Sequence, residues 1–298
     1  MDDMKTRAAD GLDVGSTGFS VLTGSSSGQS TSSTVNVKVD DGSANYTAYT
    51  YDITGSTAIA PASAAPTFPA AVNSVSVYGW YPANGGSASF SIQRDQQSNV
   101  SYCLSDLMLA NQAQCEREPS TSDPTQWTVT QAALSFRHVM SKAKITFKSV
   151  DGTSITAVKL KNIKPTVTIN DGTKTALAIG DLDGTASDVI LWTGTKTNDT
   201  EEVACGVFPP QTIAANGNFI EVMTSTGSVL YTVGTAAKAF EGGKEYAVTI
   251  EVGTSDVGHT VSLGDWTQNS QNAIFYNVDY RVAQSTSKMT NNLLYYVA

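Results

Sequence analysis

Two histidines, His138 and His259, and three cysteines, Cys103, Cys115 and Cys205, are the residues of this 298-residue chain best suited to nucleophilic or metal chemistry. A catalytic thiol needs a base beside it and a third group to orient that base. Cys205 and His138 can be paired on paper, but nothing in the sequence orients either. His138 lies between Arg137 and Val139 in a strand-like stretch, which reads as a hydrogen-bonded structural imidazole. His259 follows Val257-Gly258 in a loop. Neither has a metal-ligand neighbour at useful spacing, and HExxH and paired Cys-x-x-Cys motifs are absent. The P-loop and the dinucleotide fingerprint are absent too.

Carboxylates offer two further chemistries. Acid pairs for glycoside hydrolysis depend on spatial separation, and several Asp and Glu residues here sit in turns beside Gly. Asp181-Leu182-Asp183-Gly184-Thr185-Ala186-Ser187-Asp188 has enough carboxylates for a calcium loop, but Gly stands at the fourth position and the bidentate Glu is missing. A solvated Asp-Gly turn is the better reading. Trp80, Trp127, Trp192 and Trp266 could form a sugar-stacking platform, but their strand contexts favour core packing. The sequence therefore assigns no catalytic residue, no cofactor-binding residue and no metal ligand, and the protein is read as a non-enzyme.

What remains is a scaffold. Hydrophobic residues at 40 % suffice for a core, while charged residues at 15 % fall well below the globular average of about 25 %. Ser, Thr, Asn and Gln supply the missing polarity, a pattern of exported β proteins. A net charge of −9 opposes nucleic-acid and anionic-lipid binding. Lys142, Lys144 and Lys148 alternate along one strand, as do Lys159 and Lys161, and read as solvent-facing sides of strands. A bridge between Cys103 and Cys115 and three buried free thiols both satisfy the cysteine pattern. No stretch approaches the ~20 apolar residues of a membrane span. The polar start, Met1 to Asp10, reads as a tether just after a processed export leader.

Strand signals dominate. Val35, Val37 and Val39 alternate toward Asp40-Asp41-Gly42, and Tyr49, Tyr51 and Ile53 return as a hairpin. Val75 and Val77 lead to Trp80-Tyr81-Pro82, where proline should end the strand. Lys142 to Lys148 turns Ala143, Ile145 and Phe147 to one face. Val158 and Leu160 follow, then Val167 and Ile169 with Ala176 to Ile179 returning. Ile220 and Val222 pair with Val229, Tyr231 and Val233 across 225–228, and Val248, Ile250 and Val252 complete the series. Leu104, Leu107 and Met108 suggest two helical turns within 101–113, with Ser105 as a cap. The runs 24–33 and 58–71 read as loops. This is an all-β chain of sandwiches. Its best internal break falls between Phe147 and Ile155.

Several of these residues, in order, resemble the fimbrillin-like subunits of Bacteroides-type surface pili. They are Gly15 to Val21, Gly79-Trp80-Tyr81-Pro82, Asp95-Gln96-Gln97, and Ser105-Asp106-Leu107-Met108-Leu109-Ala110. Leu134-Ser135-Phe136-Arg137-His138 follows, then Val207-Phe208-Pro209-Pro210-Gln211, Phe240-Glu241-Gly242-Gly243-Lys244-Glu245-Tyr246 and Gly264-Asp265-Trp266. The resemblance implies two tandem transthyretin-like β-sandwich domains, 15–152 and 153–266. They follow a tether at 1–14 and precede an extension at 267–298. It also implies export as an outer-membrane lipoprotein held only by an N-terminal lipid anchor. Other pilus subunits are its implied partners, joined by strand donation. A monomeric surface lipoprotein or pilus-tip adhesin binding a host or glycan ligand is the competing reading.

The extension carries the candidate donor strands. Ile274, Tyr276, Val278, Tyr280 and Val282 form one alternating face, and Leu293, Tyr295 and Val297 another. Burying four or five such side chains contributes ~6–15 kcal/mol before ordering costs. Both strands could instead fold back as ordinary edge strands. Some pilins of the family are cut by an Arg-specific protease that removes the first strand. Arg7 is the sole arginine before Arg94, and a cut there leaves Gly18 to Leu22 attached. Arg7 is thus a candidate processing site, with Lys38 or no such processing as the alternatives.

Overall fold

Alternation of apolar and polar residues fixes which stretches become strands, and the computed structural model follows it closely. The described residues are 21–22, 33–40, 46–54, 58–61, 73–82, 88–119, 121–122, 127–129, 132–133, 136–170, 177–263 and 267–269. The N-terminal half contributes β1 (Val21–Leu22), β2 (Ser33–Asp40), β3 (Tyr46–Thr54), β4 (Ala58–Pro61), β5 (Ser74–Tyr81), β6 (Ser89–Ser91), β7 (Met108–Pro119), β8 (Trp127–Val129), β9 (Ala132–Ala133) and β10 (Phe136–His138). One short helix, α1 (Asn99–Leu104), lies between β6 and β7. The C-terminal half contributes β11 (Ser141–Ser149), β12 (Ile155–Ile163), β13 (Thr166–Asn170), β14 (Ala178–Asp183), β15 (Ser187–Lys196), β16 (Glu202–Phe208) and β17 (Gln211–Ile213). It continues with β18 (Asn218–Thr224), β19 (Ser228–Thr232), β20 (Lys238–Phe240), β21 (Glu245–Val252), β22 (Thr260–Ser262) and β23 (Thr267–Asn269).

In the N-terminal half β10, β7, β5, β2, β3 and β4 lie side by side, with β8 also on β7. The expected hairpin is β2 against β3, with Val37 opposite Tyr49. Residues 58–61, read as loop, instead pair with β3, and Pro61 ends that edge strand where no ladder donor is required. In the C-terminal half a four-stranded sheet, β16-β11-β21-β23, faces a five-stranded one, β15-β12-β18-β19-β22. Phe147 of β11 meets Trp192 of β15 at 5.0 Å, and Phe208, Phe219, Phe240 and Tyr246 form a continuous ring cluster across the layers. Trp80 is fully buried, as core packing requires.

Two further sequence expectations change. The helix spans only Asn99–Leu104, and Ser98 rather than Ser105 caps its start, accepting the Ser101 N–H at 3.1 Å. Leu107, Met108, Leu109 and Ala110 are all fully buried and lead into the central strand β7. A short apolar run buried on both faces mimics helical spacing, and length arbitrates between the two. Lys142 is the second change. Its side chain is 0 % exposed and its Nζ lies 2.8 Å from Glu245 Oε2. Alternation assigns a lysine to the outer face of its sheet, but the outer face at this end is covered. Lys148, at the other end of the strand, is only partly covered and pairs with Glu251.

The strand 141–149, which precedes the sequence break, hydrogen-bonds to β16 and β21, both from beyond it. Its parallel register puts Lys142 directly opposite Glu245. Removing one member of a buried pair leaves an uncompensated charge, whereas replacing both with apolar residues is often neutral. Lys142→Met should therefore cost about 3–5 kcal/mol in a denaturant titration. The double change Lys142→Met with Glu245→Leu should recover most of that loss.

Candidate functional site

The residues expected to donate strands, Ile274, Tyr276, Val278, Tyr280, Val282, Leu293, Tyr295 and Val297, lie outside the described residues, and so does Arg7. The side chains of Cys103 and Cys115 do as well. What is described is the platform from which the tail departs. β23 runs antiparallel to β21, with Thr267 opposite Ala247 and Asn269 opposite Glu245. β23 therefore ends where β21 begins, beside the Lys142–Glu245 pair.

β23 covers only Glu245 to Ala247 of β21, while β11 pairs along Glu245 to Val252 on the other side. On the facing sheet the three-residue β22 covers Leu230 to Thr232 of β19. Among the described residues both layers thus end in short strands on this flank. Val248, Ile250 and Val252 of β21 point into the core between them. Near Val252, the Tyr231 hydroxyl of β19 reaches across to the Glu251 carbonyl at 3.4 Å. Burial pushes the Tyr231 hydroxyl pKa well above its ordinary value, which keeps it a neutral donor there.

Motif residues that carry no chemistry converge at the joint between the halves. Gln96 is 3 % exposed, and its side-chain amide pairs with the backbone of Val207 on β16. Its Nε2 donates to the Val207 carbonyl at 2.8 Å, and its Oε1 accepts the Val207 N–H at 2.8 Å. The same Nε2 donates to the Gln93 carbonyl at 3.1 Å. Gly206, next along β16, has no room for a side chain, because an added Cβ would lie 2.3 Å from Leu191 Cδ2 of β15. His138 Nδ1 sits 2.7 Å from Asp106 Oδ2, and the Val139 N–H donates to the Leu107 carbonyl. Behind them, Gly243 adopts φ of 70° and donates to the Met140 carbonyl, while Ser141 Oγ donates to the Glu241 carbonyl.

A sequence model of fimbrillin-like proteins matches residues 6–266, most of the chain. The chain belongs to the fimbrillin-like family. A candidate cell adhesion protein from Bacteroides uniformis shares the fold, with a TM-score of 0.56 at 16 % identity over 85 % of this chain and 97 % of that one. Another from Bacteroides ovatus gives 0.52 at 15 % identity over 82 % and 88 %. No curated protein matches the chain.

In this fimbrillin-like chain the His138 reading holds, since its imidazole is fixed by Asp106. The Asp181–Asp188 stretch is split between β14 and β15, and Asp188 is taken by Lys161 Nζ at 2.7 Å. Among the described residues no cluster of three His, Cys, Asp or Glu could hold a metal ion. In the sequence Gln96 stands only within the Asp95-Gln96-Gln97 motif, and nothing there signals its role as a sheet-edge clasp. A buried glutamine inside a polar run, Arg94 to Gln97, carries no hydrophobic signal.

The turn after β21 is pinned by Asp151. Its carboxylate accepts from the Thr153 hydroxyl, from the Thr153 N–H at 3.1 Å and from the Thr254 N–H at 2.6 Å. These bonds, the Thr153 hydroxyl foremost, hold the carboxyl down at about 2 against an ordinary 3.8. A depressed folded-state value stabilises the fold above the unfolded pKa and is lost as pH falls through the folded one. Stability should therefore decline between about pH 4 and pH 2. Asp151→Asn should flatten that decline in thermal melts while leaving the family fold intact by circular dichroism.

Proposed function

We propose that this chain is a structural and adhesive subunit of an exported surface fimbria, and that it joins neighbouring subunits by strand exchange. Family membership supports the coarse statement, a pilus-related adhesive protein of the cell surface. The finer one rests on one observation. The last described strand, β23, covers three residues of β21 and then hands the chain to a tail of alternating apolar residues. Sheet edges with a core-facing apolar row accept extended segments by main-chain pairing, and alternate side chains supply specificity. In this reading Ile274, Tyr276, Val278, Tyr280 and Val282, or Leu293, Tyr295 and Val297, enter a neighbouring copy. A lipid anchor at the outer membrane and processing at Arg7 belong to the same proposal. So does the division into two sandwiches and an extension, for which the pairing of β11 with β16 and β21 favours a boundary before Ser141 over one at 152.

Size-exclusion chromatography of the full chain against a chain ending at Asn269 tests it. The full chain should form multimers, and the shortened one should run as a monomer with an unchanged melting temperature. Tyr276→Asp with Val278→Asp should reproduce the shortened chain's behaviour if the first tail face is the donor. An unchanged oligomer distribution, or a shortened chain that melts far lower as a monomer, would sink strand donation in favour of a tail folded in cis.

A further inference from the structure

Antiparallel neighbours such as β5 and β7 are ordinarily joined by about 2–5 residues. Here their connection runs from 82 to 107 and leaves its own sheet. From Ala88 to Gln96 it lies along the C-terminal half, bonded to it at nearly every second residue. The Ala88 carbonyl accepts the Ile169 N–H at 2.6 Å, and the Ile92 N–H donates to the Pro165 carbonyl at 3.0 Å. Between them Phe90 is in register with Val167 of β13. Farther on, the Arg94 carbonyl accepts the Ile190 N–H at 2.8 Å, and the Gln96 N–H donates to the Ile190 carbonyl at 2.9 Å. Ile190 belongs to β15, the edge of the five-stranded sheet, and Val207 belongs to β16, the edge of the four-stranded one. Gln96 bonds the first with its backbone and the second with its side chain.

Burial follows the same alternation. Phe90, Ile92 and Gln96 are 4 %, 5 % and 3 % exposed, and the first two join the core. Ser89, Ser91, Gln93 and Asp95 are exposed. The segment is extended with period-two burial, pairs with β13 and then bonds Ile190 and Val207 at the edges of two facing sheets, which is the form of a complementing strand. Its amide terminus suits the task, because a carboxamide presents one acceptor and one donor as a peptide unit does.

We propose that the C-terminal half carries, on its β15/β16 flank, an acceptor groove for an extended peptide, and that the chain fills this groove with its own residues 88–97. The groove reads two apolar side chains at alternate positions and a glutamine four residues beyond the second. Two consequences follow. The C-terminal half is incomplete without the connection that β5 and β7 lend it. Ile190 of β15 and Val207 of β16 are already taken on that flank, so a strand added there by another copy must first displace residues 94–96. The inference stands on the described contacts alone and does not depend on the tail being a donor.

Hydrogen exchange on the full chain gives the first test. Loss of the clasp in Gln96→Ala should speed exchange at the Val207 amide by about tenfold, the size expected for one to two net hydrogen bonds. Ile190 should follow, while Val222 and Val229 in the β18–β19 hairpin keep their wild-type rates. Unchanged protection at Val207 and Ile190 would overturn the proposal. The second test combines Phe90→Ser, Ile92→Ser and Gln96→Ala and adds a fluorescent peptide with the sequence of residues 88–97. The triple variant should bind it saturably, the wild type should not, and a peptide with Glu at the Gln96 position should bind at least tenfold more weakly for want of the N–H donor. A folded variant that ignores the peptide, or a wild type that takes it up equally, refutes the groove. If the triple variant does not fold, the exchange measurement on Gln96→Ala decides alone.

Discussion

One residue, Gln96, joins the edges of two β-sheets, bonding β15 through its backbone N–H and β16 through its side-chain amide. An unpaired sheet edge leaves N–H and C=O groups that must find partners or be solvated, and burying them unpaired costs about 1–3 kcal/mol each. Val207 meets this requirement while fully buried, because Gln96 supplies both missing partners at 2.8 Å. Much of the local architecture serves that contact. Gly206 must lack a side chain so that Leu191 can approach, and Ser105 Oγ accepts the Gln93 N–H at 2.9 Å on the way in. Asp106 and His138 then fix the return of the chain toward β7.

The joint also explains a buried charge pair at the end of β11. A lysine with no exposed surface is ordinarily a liability, since its desolvation must be offset by close pairing. Lys142 and Glu245 meet that condition because the parallel register of β11 and β21 places them opposite each other. A slip by one residue would turn Glu245 to the other face of its sheet and leave the lysine unmatched. Apolar partners would hold the strands as well but would tolerate neighbouring registers more readily. The pair thus makes register errors costly where β11, β21 and β23 all begin or end.

How far the sequence revealed this depends on the kind of signal. Strands such as β2, β3, β12, β13, β18, β19 and β21 were legible because alternation reports a half-buried ladder directly. The ordered motifs were legible too, but as a family likeness rather than as mechanism. Gln96, Asp106 and Lys142 look like surface residues in a one-dimensional reading, since polarity alone says nothing about what lies across the joint. The run Leu107 to Ala110 misled for a related reason. Continuous burial erases the alternation that separates strand from helix, and only the neighbouring strands of β7 resolve it. The tail is the opposite case, with a plain alternating pattern whose partner the pattern cannot name.

The two flanks of the C-terminal sandwich solve the edge problem in different ways, and the difference has consequences for assembly. On the β15/β16 side the chain spends a long connection to bury Phe90 and Ile92 beside β13 and to set Gln96 against both sheets. On the other side the described residues end in the three-residue strands β22 and β23. Short edges discourage indiscriminate pairing because few main-chain bonds can form before the strand ends. They do not prevent a longer, well-matched segment from extending along Val248 to Val252, where the apolar row already faces inward. Under the proposed strand exchange, this asymmetry would give a subunit one direction of assembly. With both flanks open it would aggregate, and with both sealed in cis it would remain alone. The side on which the fold invests an internal strand is the side where another chain must displace that strand before it can pair.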